Sequence, residues 1–354
     1  MTVVLQGLNG GSKSIKSEVI DNLATALRGR SIRPGEDGFD EARTLWNGMI
    51  DRKPGLVIRA LGTGDIQTAV NFVRDNGLRM AVRGGGHQIA GLAVAEGAVQ
   101  LDLSHMRSVH VDETGKTVQV DPGALLGDVD RETQLYGLAV PTGVNSTTGI
   151  AGLALGGGFG WITRKHGLTI DNLLAADVVT ADGRIRRASD TENPDLFWAI
   201  RGGGGNFGVV SKFTFRAHPI GPEVMSGLVI HPIEAAPKLL REFRRICAEA
   251  EDDLTVWSVM RKAPPLPFLP AEWHGREVLI FAACYAGDMA DGERAMKGLR
   301  SLGKPIVDVI GPHPFSGWQA AFDPLLTPGA RHYWHSHDIT DLAHPAIHVR
   351  RQSV

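Results

Sequence analysis

The pentapeptide Arg83-Gly84-Gly85-Gly86-His87 ends three residues without a β-carbon on a histidine. Glycine backbone turns sharply and brings bare N–H groups close to an anion, so such a run can form a nest whose natural occupant is pyrophosphate. Histidine is the one side chain of the loop with a nucleophilic nitrogen. The pattern points to a held nucleotide cofactor whose reactive ring lies within reach of the imidazole. A tight turn carrying a solvated histidine is the alternative. Gln88 and Gly91 continue the candidate loop.

Two further segments carry the same chemistry. Residues 142–160 hold Thr142, Gly143, Ser146, Thr147, Thr148, Gly149, Gly152, Gly156, Gly157 and Gly158. Hydroxyls beside glycines offer side-chain O–H as well as backbone N–H donors to phosphate or ribityl oxygens. Residues 201–208 add Gly204, Asn206 and Gly208, followed by Val209 and Val210. Three such loops are hard to explain as turns alone. Gly203, Gly205 and Gly208 formally satisfy G-x-G-x-x-G, yet that fingerprint has meaning only where a helix follows and receives the pyrophosphate. Residues 209–215 alternate apolar and polar and read as a strand, so the match fails on context. Neither a Walker A sequence nor His-Glu-x-x-His is present.

The elements that must position these loops follow from periodicity. Residues 14–27 and 65–74 carry helical spacing, with Gly29 and Gly77 just past their ends. Residues 56–60, 78–82 and 99–103 read as strands, and 78–82 feeds the first glycine loop. Residues 109–120 form a hairpin, 124–135 a helix, 175–187 a hairpin turning at Asp182-Gly183, and 193–200 a short helix with Pro194 in its first turn. The run 218–222, His-Pro-Ile-Gly-Pro, marks a domain boundary. Beyond it, 235–250 and 291–302 suit helices and 254–260 and 277–284 strands.

Bulk numbers narrow the classes. A chain of 354 residues is long enough for two domains. Lys plus Arg is 37 against 39 Asp plus Glu, which indicates neither a nucleic-acid footprint nor a membrane polybasic patch. Glycine, at 44 residues, stands at nearly twice the usual share of about 7% and falls in clusters between regular elements. Cys247 and Cys284 are the only cysteines, which excludes a disulfide framework and a cysteine zinc cluster. No run reaches the roughly 18 apolar residues of a membrane span, and no charged segment leads into an apolar one at the N-terminus. The expectation is a cytoplasmic protein.

The ordered set Arg83-Gly-Gly-Gly-His87 with Gly91, Gly149-Ile-Ala-Gly152, Gly156-Gly-Gly158, Arg164, Gly167-Leu168, Asp171-Asn172, Arg201-Gly-Gly-Gly204 and Asn206-Phe207-Gly208 resembles the vanillyl-alcohol-oxidase type of FAD-linked oxidases, with a PCMH-type FAD-binding domain. The nearer resemblance is to the berberine-bridge-enzyme-like branch, over roughly residues 30–340. It implies an α+β protein: a two-subdomain FAD-binding domain over residues 1–218 and an antiparallel-sheet and helix substrate domain from 219 to 354, C-terminally incomplete. Relatives continue for about a hundred residues more, a large share of a domain. That tail often carries a tyrosine-asparagine motif and sometimes the catalytic base, so no base is assigned.

The resemblance further implies that His87 bonds the flavin 8α-methyl group. Many relatives add a second bond from a cysteine at the position of Asn145, and asparagine cannot form that thioether, so a single covalent link is expected. Thr148 stands where relatives decide oxygen access with small aliphatic residues, which leaves oxidase and dehydrogenase behaviour both open. Family chemistry is hydride transfer from a C–H next to O or N to flavin N5, in an alcohol, sugar or amine, with O2 regenerating the flavin and giving H2O2. Asn172 joins the cofactor-binding set with the glycine-segment residues already named.

Other residues receive blander readings. His332, His335, His337, His344 and His348 crowd the end without a cysteine or a single-face spacing, so a metal role is not favoured. Tyr333 and Trp334 suit packing, Asp171 bracing of a loop, and Phe159 and Trp161 packing beneath the second glycine segment. Arg83 and Arg164 are candidate anion partners. Three classes stay open: a flavin-dependent oxidoreductase, a flavin-holding protein without turnover, and a metal-binding or NAD-linked protein.

Overall fold

The Leu-Val-Ile run of the strand Leu56–Arg59 is buried along its whole length, as the interior strand of a largely parallel sheet requires. In the computed structural model, which describes residues 2–337, the sheet order is Arg30–Ile32, Leu56–Arg59, Val99–Asp102, Met80–Arg83. The first pair is antiparallel and the other two are parallel. Helix Thr63–Asn76 buries Ile66, Ala69, Val70 and Val73 and stops at Gly77, whose φ of 59° is the left-handed cap that glycine adopts without strain. Helix Ser17–Ala26 covers the same core through Ile20 and Leu23.

The parallel register aligns Arg59, Asp102 and Arg83 at the strand ends. Asp102 is fully buried and accepts a hydrogen bond from Arg59 Nε at 3.0 Å, with Arg83 Nη1 3.8 Å away. Two guanidiniums around one buried carboxylate tie the strand ends together where the first glycine loop leaves the sheet. That is where open α/β sheets bind ligands.

A second core lies under a five-stranded antiparallel sheet in the order Ile185–Ser189, Leu173–Val179, Val209–Arg216, Thr117–Val120, Val109–Asp112. Helices Leu126–Gln134, Ile150–Leu155 and Pro194–Ile200 contribute to it. The observed helices and strands agree in type with the sequence reading, apart from residues 14–16, which end a strand instead of starting a helix. That strand, Ser12–Lys16, pairs with Thr2–Gln6.

The described chain divides into two units. One comprises residues 2–160, 167–219 and 319–334; the other comprises 161–166, 220–318 and 335–337. The second unit is an antiparallel sheet in the order Leu254–Lys262, Glu277–Tyr285, Glu223–Pro232, Val307–Asp308, with Gly311–Pro314 also paired to Glu223–Pro232. Helices Ala236–Glu249 and Met289–Arg300 cover one face through Leu239, Leu240, Met296 and Leu299. The sequence reading gave everything after 218 to one domain; residues 319–334 instead belong to the first unit, held by side-chain bonds that carry no sequence signal.

Among the described residues, no helix is long and apolar enough to cross a membrane. The protein is an α+β protein of two units.

Candidate flavin site

The first glycine loop owes its shape to a second chain segment as much as to its own composition. A β-carbon on Gly85 would lie 2.4 Å from the backbone nitrogen of Gly149, and one on Gly149 would lie 2.4 Å from that of Gly85. The two segments touch backbone to backbone, and each needs the other's bareness. Gly86 has a φ of 74°, in the left-handed region. Residues 146–150 are fixed from the other side by Leu126 N–H to Thr148 O, Gly127 N–H to Ser146 O and Ile150 N–H to Ala124 O, each 2.9 Å.

Beside this junction is a cavity of about 840 Å³, whose lining includes Trp46, Arg83, Gly84, Gly85, His87 and Thr147. Its size is that of a site for a large small molecule. Gly152, in helix Ile150–Leu155, has open space where a β-carbon would stand, so packing within the protein does not demand glycine there. Bare backbone at Gly84 and Gly85 beside a basic side chain and a large cavity fits a dinucleotide cofactor.

His87 sits at the cavity with one face of its ring against the Trp46 indole, centroids 4.7 Å apart. His332 also stacks on Trp46, with centroids 4.0 Å apart, and Trp334 meets both the Trp46 and His332 rings edge-on. Burial pushes the imidazole down to about 4; Asp323 pulls it up, His332 pushes it down, and the Thr147 backbone raises it. At neutral pH His87 is therefore uncharged, with a ring nitrogen free to act as a nucleophile. Nε2 lies 3.0 Å from Thr147 Oγ1, and Nδ1 lies 3.5 Å from Thr148 Oγ1.

The returning segment 319–334 clamps this arrangement. Asp323 accepts from Ser146 N–H at 2.9 Å and from the Ser146 hydroxyl. Gln319 Nε2 donates towards Asp130 Oδ2 (3.3 Å), Thr142 Oγ1 (3.0 Å) and Gly143 O (3.2 Å). Burial pushes the Asp130 carboxyl up to about 7, against the pull of the Gln319 bond. Asn47 bonds His332 through both backbone groups: its Nδ2 donates to His332 O at 3.0 Å and its Oδ1 accepts from His332 N–H at 3.1 Å.

A family model described as an FAD binding domain matches residues 54–189. (R)-6-hydroxynicotine oxidase of Paenarthrobacter nicotinovorans is 34% identical over 292 residues, covering 81% of this chain and 62% of that protein. An FAD-linked oxidoreductase of Dictyostelium discoideum is 31% identical over 330 residues, covering 92% of this chain and 69% of the relative. The chain belongs to the vanillyl-alcohol-oxidase-type FAD-linked oxidases, in their berberine-bridge-enzyme-like branch. A crystal structure of 6-hydroxy-D-nicotine oxidase from Arthrobacter nicotinovorans superposes with a TM-score of 0.78 at 32% identity, over 86% of this chain and 66% of that one. The chain thus spans about two thirds or less of the length of two of these three proteins.

In this FAD-linked family member the first two glycine segments come together, and the third does not line the cavity. Gly202 and Gly204 donate their N–H groups to Leu155 O at 3.1 and 3.0 Å, closing the end of helix Ile150–Leu155. Gly204 and Asn206 are at the surface region of that turn, Gly208 packs on Val178 and Val179, and Val209 and Val210 are buried strand residues. Asn172 Oδ1 lies 2.6 Å from His218 Nε2, and Asn172 Nδ2 donates to Leu168 O. Gln88 Oε1 accepts from Leu92 N–H, and a β-carbon on Gly91 would strike Ile50. Gly158 is pressed against Thr169, while Gly157 has open space.

Several side chains differ from expectation. Phe159 is 65% exposed, and Trp161 is buried in the second unit, stacked on Trp257 at 4.6 Å. Arg164 donates to Leu254 O and Ala250 O, in the second unit, and takes no part in the cavity. Arg83 lines the cavity but spends Nη1 on Ala42 O at 2.8 Å. Asp171 accepts from Leu168 N–H and lies 3.6 Å from Arg201, bracing its loop. Among the described residues no group of three or more His, Cys, Asp or Glu is placed to hold a metal; His344 and His348 lie outside the described residues. Sequence reasoning missed Trp46, Gln319, Asp323 and the stacking role of His332. Nothing in their spacing links them to the glycine loops.

Proposed function

We propose that this chain is the FAD-holding part of an oxidoreductase that binds FAD in the cavity beside Gly84 and Gly85, with the flavin joined to the protein through His87. The observation that carries the reading is an uncharged imidazole, packed on Trp46, at the mouth of a glycine-walled cavity of about 840 Å³. The backbone amides of the 84–86 loop would hold the pyrophosphate, and Thr147, Thr148 and the open flank of Gly152 would receive the rest of the cofactor. Bound there, FAD supplies the acceptor for a hydride from a C–H next to oxygen or nitrogen, and dioxygen takes up the electrons as hydrogen peroxide. The proposed small-molecule substrate class is an amine, alcohol or sugar, and the nicotine oxidase relative favours the amine. Asn145 leaves His87 as the single point of attachment.

Bond formation between the His87 nitrogen and the 8α carbon releases one proton from each partner. The electron pair passes through the flavin to dioxygen, giving hydrogen peroxide. The test is the purified chain precipitated in acid. The expected result is yellow colour that stays with the polypeptide and disappears from it in His87→Ala, with free FAD recovered in the supernatant. A colourless polypeptide that retains no added FAD overturns the proposal. Peroxide release over a panel of amines, sugars and secondary alcohols then separates turnover from cofactor holding.

A further inference from the structure

We propose that Asn145 and Thr147 are positioning residues that fix which nitrogen of His87 is the nucleophile; this rests on the attachment proposed above. Asn145 Oδ1 accepts two hydrogen bonds from Thr147, from its backbone N–H at 3.0 Å and from its hydroxyl at 2.6 Å. The backbone donor identifies that Asn145 atom as the oxygen, since an amide NH2 would face another donor. A threonine hydroxyl has one hydrogen, and here it is committed to Asn145. Thr147 Oγ1 can then serve Nε2 of His87, 3.0 Å away, only as an acceptor. Nε2 must carry the ring proton, and Nδ1 carries the lone pair.

The chain of bonds therefore runs in one direction, from Nε2–H to the Thr147 oxygen and from the Thr147 hydroxyl to the Asn145 oxygen. It starts at the imidazole and ends on a buried side chain, Asn145 being 8% exposed. The Trp46 stack fixes the plane of the ring, and the Thr147 bond fixes its rotation within that plane. The Thr148 hydroxyl lies 3.5 Å from Nδ1, too long to hold the lone pair firmly. When Nδ1 forms a bond to carbon, the proton to be lost is on Nε2, already directed at Thr147. Asn145 thus has a role of its own, on the far side of Thr147 from the imidazole.

The test uses the full chain produced free of flavin, with 15N-labelled histidine. The His87 signals are assigned by their loss in His87→Gln. A non-protonated imidazole nitrogen resonates well apart from a protonated one, so the spectrum reads the tautomer directly, without turnover. The expected wild-type state is Nε2-protonated. Asn145→Ala frees the Thr147 hydroxyl to donate to Nε2 and should shift the population towards Nδ1–H. After FAD is added, Asn145→Ala and Thr147→Val should slow appearance of acid-stable colour about tenfold or more, and Thr147→Ser should restore the wild-type rate. An Nδ1-protonated wild type overturns the inference, as do unchanged spectra and attachment rates in both variants. If the wild type takes up no acid-stable flavin at all, the attachment reading itself fails. If attachment depends on His87 but is indifferent to Asn145 and Thr147, only the positioning role fails.

Discussion

The second and third glycine segments are alike in composition and unlike in the reason for it. In the second, Gly149 is glycine because the backbone of Gly85 occupies the space a side chain would take, at 2.4 Å. In the third, Gly204 and Gly205 have nothing within 4 Å of a would-be β-carbon, and Gly202 and Gly204 serve to satisfy the last carbonyl of helix Ile150–Leu155. Gly149 is bare because another backbone must approach it, and Gly202 and Gly204 because the chain there takes conformations that side chains resist, with φ of 109° and 70°. Glycine density alone does not mark a ligand site. What marks it is the meeting of two bare backbones next to a cavity.

The sharpest way to break this contrast is a matched pair of substitutions. Gly85→Ala drives a methyl group into the Gly149 backbone, which cannot move without tearing the Ala124–Gly127 hydrogen bonds from residues 146–150. A loss of about 3 kcal/mol or more is expected, together with loss of flavin retention. Gly204→Ala meets open space and suffers only the left-handed φ, so about 1 kcal/mol is expected, with flavin retention kept. Chemical denaturation and flavin content of the two variants measure both quantities. Equal losses would mean that the Gly85–Gly149 contact is no more demanding than an ordinary turn.

The legibility of the sequence divides along similar lines. The strands and helices were readable because apolar spacing dictates them: the Ile66, Ala69, Val70, Val73 face of Thr63–Asn76 is one case, and the hairpin of Val109–Asp112 with Thr117–Val120 is another. The central strand Glu223–Pro232 of the second unit was not singled out, since Gly227 interrupts it and Pro232 ends it. His87 was readable as a nucleophile from its neighbours in sequence. Trp46, Asp323 and His332 were not, because they reach the loop through tertiary contacts over long separations. The pairing of Gly85 with Gly149 was equally hidden: glycine runs show where a backbone can be approached, and only the fold shows by what.

The end of the first segment differs from that of the third in charge behaviour, which gives a second test. His87 stays neutral in the folded, flavin-free protein down to about pH 4, whereas an unfolded chain protonates its imidazole near 6.5. Between those values the unfolded state binds the extra proton, so stability falls as the pH is lowered from about 6.5 and levels off below about 4. The full difference is at most about 3 kcal/mol, less whatever solvent screens at this half-buried ring. Asp130 runs the other way: its carboxyl, raised to about 7, gives stability that is complete at low pH and lost as pH rises through 7. Comparing wild type with His87→Gln cancels the Asp130 contribution. The acid-side slope should be shallower in the variant; identical slopes in urea titrations from pH 4 to 7 would show that the imidazole is no harder to protonate in the folded state.

The smallest expected effect separates packing from binding within the second segment itself. Gly152 lies inside helix Ile150–Leu155, has an ordinary helical backbone and leaves open space where a β-carbon would be. Alanine in a helix interior is favoured over glycine, so Gly152→Ala should stabilise the flavin-free protein by about 0.5–1 kcal/mol. If the open flank of Gly152 receives part of the cofactor, as proposed above, the added methyl group has the opposite sign for FAD. The expected pair of results is a raised unfolding midpoint without FAD and weaker retention of FAD. Gly85→Ala cannot give that pair, since it lowers both, and Gly204→Ala cannot, since it leaves retention alone. A Gly152→Ala protein that is more stable and holds FAD as tightly as wild type would place the cofactor away from this flank and leave the Gly85–Gly149 junction as the whole of the cradle.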